Sequence, residues 1–510
     1  MAPDAFLRAV RESPDDDAPR LVYADWLDEH GDHDRAEFIR VQCELAGLDE
    51  TDPRRDDPER RERELLERHE PRWLGELPEA VSSWSFRRGF LERLIVVARD
   101  LRPDFVLPAT ASSVFVTGGS ERAAAWRLLT ADQPARLREL ELAFDWREDR
   151  TLAELAEAPL LARLRRLSLT NTPGSEIRFL SDLRHGLLPG VTELEATGEG
   201  LTVGGLAALA EPDWAGRWTG LTWRAHEPNL AGSEEVARLA GCPNLRRVHL
   251  PAWPSPPSFA DWPPLTHLDA GQSADVFRIR HLTAAPFLAT LRRLELTVAD
   301  SSGHGDLGPA LADLLGGLRR PALHLRAEMP APELAALLRD ERCRSGLAGL
   351  HVTPPARPAV LRALAEGPPW AGLTDLDLEV RHGPGAEALV ELLRSPALPR
   401  LRWLSLRCGR FSDGAARAMI WSPALGSLRE LSLSAGQLGS LVPSMLARWP
   451  GLARLDRLTV YAARETAALA QELAESPHLS PLTSVSLPAA ARDRSQLAAL
   501  RKRLGRRLRP

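Results

Sequence analysis

Lysine is almost missing from this chain: Lys502 is the single one among 65 basic residues. A GC-rich coding bias explains that, with the abundance of alanine, proline and glycine, at least as well as function does. The overall charge is no guide to a polyanion either. The 65 basic and 70 acidic side chains leave a formal net charge of −5, small for 510 residues. The four cysteines, Cys43, Cys242, Cys343 and Cys408, lie far apart with no C-x-x-C pair, which argues against a zinc knuckle and a disulfide framework. No apolar run approaches the ~18 residues of a membrane span. The opening residues Met1 to Arg8 lack the basic-then-apolar pattern of a secretory leader. A protein of the reducing cytoplasm is the expectation. Catalytic signatures are missing too: no G-x-x-x-x-G-K-S/T loop, no G-x-S-x-G elbow, no H-E-x-x-H and no clear dinucleotide fingerprint.

What the chain does have is a period. The pattern L-x-x-L-x-L recurs in Leu137/Leu140/Leu142, Leu164/Leu167/Leu169, Leu291/Leu294/Leu296, Leu373/Leu376/Leu378, Leu401/Leu404/Leu406 and Leu428/Leu431/Leu433. Degenerate copies such as Leu245/Val248/Leu250 and Leu347/Leu350/Val352 keep the register. The step is mostly about 26–28 residues, within the ~20–29 of leucine-rich repeats, which these units resemble. Pro-x-Leu precedes many of the strands, as at Pro396-Ala-Leu398 and Pro450-Gly-Leu452, where proline ends a helix and turns the chain. Amphipathic helices are predicted ahead of it, for example over 386–394 and 466–474. The fold class is therefore α/β: a leucine-rich-repeat solenoid of roughly sixteen units over 86–491, with a parallel inner sheet and outer helices. Two irregularities stand out. Prolines crowd 251–264, which predicts an irregular loop in place of a helix, and the usual asparagine after the third leucine is mostly absent, with Asn171 and Cys408 near that slot.

Ahead of the repeats, residues 1–48 read as a small all-α domain, 49–85 as a charged linker and helix. The stretches Asp15 to Asp32, with its A-D-W-L motif, and Ala36-Glu-Phe-Ile-Arg-Val-Gln42 resemble the bacterial repeat-companion domain. Phe86-Arg-Arg-Gly-Phe-Leu-Glu-Arg93 is similar to the stretch that joins that module to leucine-rich repeats of the ribonuclease-inhibitor-like superfamily. The resemblance covers about the first 100 residues and implies architecture, with no activity to carry over. At the other end, 492–510 reads as an Arg-rich capping helix with Leu497, Leu500, Leu504 and Leu508 on one face.

Between the second and third leucines of each strand, one residue points out from the expected concave face. His249, Asp269, Glu295, His324, His351 and Asp377 occupy that position on six successive strands, flanked by Arg247, Arg293, Asp375 and Trp403. The ladder has two readings, a solvated charge array and a partner-binding patch. The expected function is a non-catalytic interaction scaffold or sensor, monomeric and off the membrane, binding an unknown protein through this face. No catalytic residue, metal or cofactor is assigned. The alternative is a polyanion or nucleic-acid binder using Arg-rich surfaces and the C-terminal helix, with a salt-sensitive affinity.

Overall fold

Leucine triplets become strands because their second and third leucines share one face of the extended chain, and only a neighbouring strand can complete the burial. In the computed structural model of the chain, the described residues are 3–49, 52–118, 122–143, 158–170, 188–198, 201–225, 233–250, 253, 258–299, 306–319, 322–353, 355–381, 383–463, 465–488 and 497–509. They fall into two units, Met1–Asn244 and Leu245–Pro510.

The first unit opens with four α-helices, α1 (Pro3–Glu12), α2 (Ala18–Glu29), α3 (His33–Gly47) and α4 (Asp56–Leu74). Val10, Ala24, Leu27, Ala36, Ile39 and Cys43 pack together with Phe90, and Tyr23 and Trp26 lean on that core. The last turn of α2 forms ion pairs with α3: Asp28 meets His33 at 3.0 Å and Arg40 at 2.6 Å. The charges of α4 are pairing groups as well, for Arg61 grips Glu37 of α3 through two bonds of 2.6 Å.

The sheet of this unit then begins earlier than the leucine period indicates. Strand β1 (Val81–Arg87) lies mostly within the stretch expected to be linker, and it pairs antiparallel with β2 (Phe90–Val97). The period misses β1 because a periodic signal reports parallel repeats, and β1 carries Val81, Trp84 and Phe86 instead of leucines. Parallel pairs follow in chain order through β3 (Ser113–Thr117), β4 (Glu139–Ala143), β5 (Arg166–Thr170), β6 (Glu193–Gly198) and β7 (Gly220–Ala225).

The second unit is a parallel sheet of β8 (Arg247–Leu250), β9 (His267–Ala274), β10 (Arg293–Ala299), β11 (Leu323–Glu328), β12 (Leu347–Val352), β13 (Asp375–Val380), β14 (Trp403–Phe411), β15 (Glu430–Leu438), β16 (Arg457–Ala462), β17 (Ser484–Ser486) and β18 (Leu508–Arg509). Each strand pairs with the next. Leu376, Leu378, Leu404, Leu406, Leu431 and Leu433 are buried, each such side chain contributing about 1.5–3 kcal/mol. Helices Pro358–Ala365, Pro384–Arg394 and Thr466–Glu475 alternate with these strands, and Pro450 opens a short 3-10 turn where the periodic proline stands.

A main-chain ladder ties repeat to repeat. The carbonyl of Thr374 accepts from the N–H groups of Arg402 and Trp403, that of Arg402 from Arg429 and Glu430, and that of Arg429 from Asp456 and Arg457. Asn171, near the usual asparagine slot, lies outside the described residues. Of the irregular stretch 251–264, residues 251, 252 and 254–257 also lie outside them. Trp253, Phe259 and Trp262 of that stretch are buried, and Phe259 meets Trp253, Trp262 and Phe287 edge to face. The C-terminal run, with 492–496 outside the described residues, is a helix over Ala498–Leu504, then a turn, then β18. Its four leucines, Leu497, Leu500, Leu504 and Leu508, are all buried.

Candidate functional site

Strands β8 to β14 carry the ionisable ladder on the side of the sheet away from the buried leucines. Register decides which of its members meet, since paired strands stand ~4.8 Å apart. His249 lies opposite Asp269, Asp269 opposite Glu295, and Glu295 opposite His324. There the single line expected from the sequence breaks. Strand β12 bulges at Ala348, so Leu323 pairs with Leu347 but His324 pairs with Gly349, and His351 falls opposite Arg326. From β12 onward two rows run side by side. One is Gly349, Asp375, Trp403 and Glu430; the other is His351, Asp377, Ser405 and Ser432. His324 and His351, adjacent in the leucine pattern, are not cross-strand partners.

Each histidine has a carboxylate. His249 Nδ1 stands 2.9 Å from Asp269 Oδ2, and His324 Nδ1 3.8 Å from Asp375 Oδ2 two strands away. His351 Nδ1 contacts Asp377 Oδ2, which also accepts from Arg407 Nη1 at 3.0 Å. Two glycines make room for these rings. A Cβ on Gly349 would come 2.3 Å from His324 Nδ1, and one on Gly271 would come 2.6 Å from His249 Cε1. Glycine inside a strand marks close approach by another group, and here the group is an imidazole.

Burial pushes the Asp377 carboxyl up, but bonds from His351 and Ser405 and the charges of His351 and Arg407 outweigh it and hold the group below its ordinary value. His249 and Asp377 are buried, so they shape their neighbours more than they present themselves to a partner. Glu295 is bound by Arg293 of its own strand at 2.7 Å. Arg247 and Arg293 both lie opposite His267. Trp403, half-buried, sits between Asp375 and Glu430.

The leucine pattern did not single out Arg326, Arg407, Gly271 or Gly349. Arg326 and Arg407 stand two residues beyond His324 and Ser405, hence on the same face, and that spacing was the available signal. Among the described residues, no group of three or more His, Cys, Asp and Glu side chains is placed to hold a metal ion. Burial raises the thiols of Cys43 to about 12 and Cys242 to about 11, which leaves them protonated at neutral pH.

No family model matches the chain, and no curated protein matches it. A solved structure described as "Crystal structure of Rad7 and Elc1 complex in yeast" aligns over 91% of this chain and 89% of that chain, at 15% identity and a TM-score of 0.34. So loose a likeness carries no argument. The leucine-rich-repeat-like architecture rests on the strand register and leucine burial of the chain itself. No helix among the described residues is long and apolar enough to cross a membrane.

Proposed function

We propose that this chain is a non-catalytic interaction scaffold or sensor, and that a protein partner docks on the open face of strands β8 to β14. The observation that carries the reading is the pair of rows around Trp403. Charges of both signs are already matched within the chain there, while the indole makes no hydrogen bond or ring contact among the described residues. Matched charges favour a specific, mixed-polarity contact over bulk attraction to a polyanion, and tryptophan is the residue most often found at the energetic centre of such contacts.

Two further observations support it. A serine nucleophile needs an imidazole beside it with a carboxylate behind, whereas here the order across the strands is His351, Asp377, Ser405, with the carboxylate in the middle. The polyanion alternative loses two of its C-terminal cations, because Arg503 and Arg507 are engaged at home. Arg503 donates to the carbonyls of Ala474, Ser476 and Leu479 at 3.0, 2.6 and 2.6 Å, and Arg507 to that of Leu482 at 2.7 Å. The reading extends to membership among bacterial repeat-companion proteins, residence in the cytoplasm and a monomeric state.

Affinity purification of the full chain, with and without nuclease, beside a Trp403→Ala, His324→Ala double variant tests the proposal. A protein recovered in both nuclease conditions and lost with the double variant supports it. Recovery that vanishes with nuclease overturns it in favour of the polyanion.

A further inference from the structure

Where strands β12 and β13 run out into their helices, the chain leaves a cavity of about 220 Å³ lined by Pro355, Ala356, Arg357, Pro358, Arg381, Pro384 and Gly385. The walls are fixed. The N–H of Ala356 donates to the carbonyl of Glu379 in β13 at 2.7 Å, so the Pro355–Arg357 lip is tied to the sheet. Gly385 is buried, and a Cβ there would stand 3.3 Å from Val380 Cγ1, so the helix start packs closely on β13.

Proline, alanine and glycine make most of this lining apolar, and two guanidiniums stand at it. Several arginines of this unit are already paired. Arg339, Arg342, Arg362 and Arg407 each hold a carboxylate at 2.7–3.3 Å. Arg357 and Arg381 are exposed and have no carboxylate at ion-pair distance among the described residues. Helices Pro358–Ala365 and Pro384–Arg394 start at the same wall and add the positive ends of their dipoles.

We propose that this cavity binds one apolar group carrying a carboxylate: a free small acid, or the C-terminal residue of another chain. Size sets the limit. A dry cavity of ~150 Å³ holds a benzene ring, whereas pockets for drug-sized ligands span ~300–1,000 Å³. The space therefore suits a single leucine- or phenylalanine-sized body, with two fork-shaped cations to bind its oxyanion. A bare inorganic anion would leave the apolar lining unused. The cavity shares no lining residue with the two rows around Trp403, so it stands or falls apart from the docking reading.

The test is nuclear magnetic resonance titration of the full chain with N-acetylleucine, N-acetylleucinamide and acetate, following the amides of Ala356, Val360 and Gly385. Saturable shifts with N-acetylleucine, weakened about tenfold or more in the amide, in acetate and in an Arg357→Gln, Arg381→Gln variant, are expected, as for the loss of charge-assisted bonds. Both arginines are exposed, so that variant should fold. A second variant, Gly385→Ile, adds bulk at the lining but keeps both charges, and it should also weaken the shifts. Equal binding of acid and amide, equal binding by either variant, or no saturation overturns the proposal. A short peptide ending in leucine separates the two sources: tighter binding than N-acetylleucine supports a chain terminus, and weaker or equal binding supports the free acid.

Discussion

The joint between α2, α3 and the β1–β2 hairpin, in the first unit, and the outward rows of β8 to β14, in the second, are made from the same parts. Both use arginine–carboxylate pairs, aromatic rings and a glycine under a larger side chain. At the joint the central pair and the glycine are sealed. Arg20 and Glu92 meet at 2.7 Å with side chains 1% and 8% exposed. Gly89, at φ 86°, takes the Ile39 side chain where a Cβ would lie 2.3 Å from Ile39 Cγ1, and its N–H donates to Gln42 Oε1 at 2.5 Å. Arg35 stacks over Phe38, Trp73 and Phe86 and donates to the carbonyl of Gly89. On the rows the pairs are half open. Asp377 is buried, but Arg407 is 39% exposed and His351 24%. A buried pair can only be kept or broken, so it fixes a geometry; a half-open pair can be exchanged for a partner's group.

The largest expected effect breaks the sealed side. Glu92→Ala leaves Arg20 charged and buried without its partner, which costs about 3–5 kcal/mol. Chemical denaturation followed by a probe in the first unit measures it. The joint change Arg20→Met, Glu92→Leu should recover most of that loss, because an apolar pair avoids the desolvation that already raises the Glu92 carboxyl above its ordinary value. If the joint variant is as unstable as the single one, the pair holds the geometry and not merely the charge. Next comes Gly349→Ala on the open side, where the new methyl must displace the His324 ring. About 1–3 kcal/mol is expected from overpacking, with His324 moved off Asp375 in a crystal structure of the variant.

That glycine also shows where sequence reasoning stops. The repeat was legible because burial repeats: every L-x-x-L-x-L puts leucines on one face, and Leu376, Leu378, Leu404 and Leu406 are all buried. The step at β12 was not legible. A slip of one residue would expose the leucines and be visible in the pattern, whereas a slip of two leaves every apolar residue on its own face. Leu325 therefore pairs with Leu350, and Ala327 with Val352, without any penalty that composition could report. The residues of the ladder were readable one strand at a time, but their partners were not. Gly271 and Gly349, interior to strands, were the surviving hints. The joint was hidden for a different reason: the E-F-I-R-x-Q stretch and Arg88-Gly89-Phe90 were recognisable as motifs, yet nothing local says that Gln42 and Gly89 bond across 47 residues.

Asp377→Asn is a smaller break. Its bonds to His351 and Arg407 are charge-assisted, but Arg407 is more than a third exposed, so solvent screening trims the loss to about 1 kcal/mol. The folded carboxyl titrates below its ordinary 3.8. Its contribution is therefore present above that value and is lost as pH falls through the lower folded value. The wild-type chain should lose stability in that acid window more steeply than the asparagine variant. Acid denaturation curves of the two, superimposable after a constant offset, would show that Asp377 adds no linked protonation.

Trp403→Ala should move stability least of all and decide most. The indole is half-buried, lies between Asp375 and Glu430, and makes no polar or ring contact among the described residues. Only part of the ring is buried, so its removal should cost about 1 kcal/mol at most. A docked partner should lose about 2 kcal/mol or more of binding free energy, roughly thirtyfold in affinity, if the indole is the anchor of the contact. Glu92→Ala must show the reverse, a large loss of stability with partner affinity unchanged in whatever remains folded. Should Trp403→Ala instead destabilise the second unit by well over 1 kcal/mol while partner affinity holds, the rows are sealed structure like the joint. The distinction between a fixed geometry and an exchangeable surface would then fail.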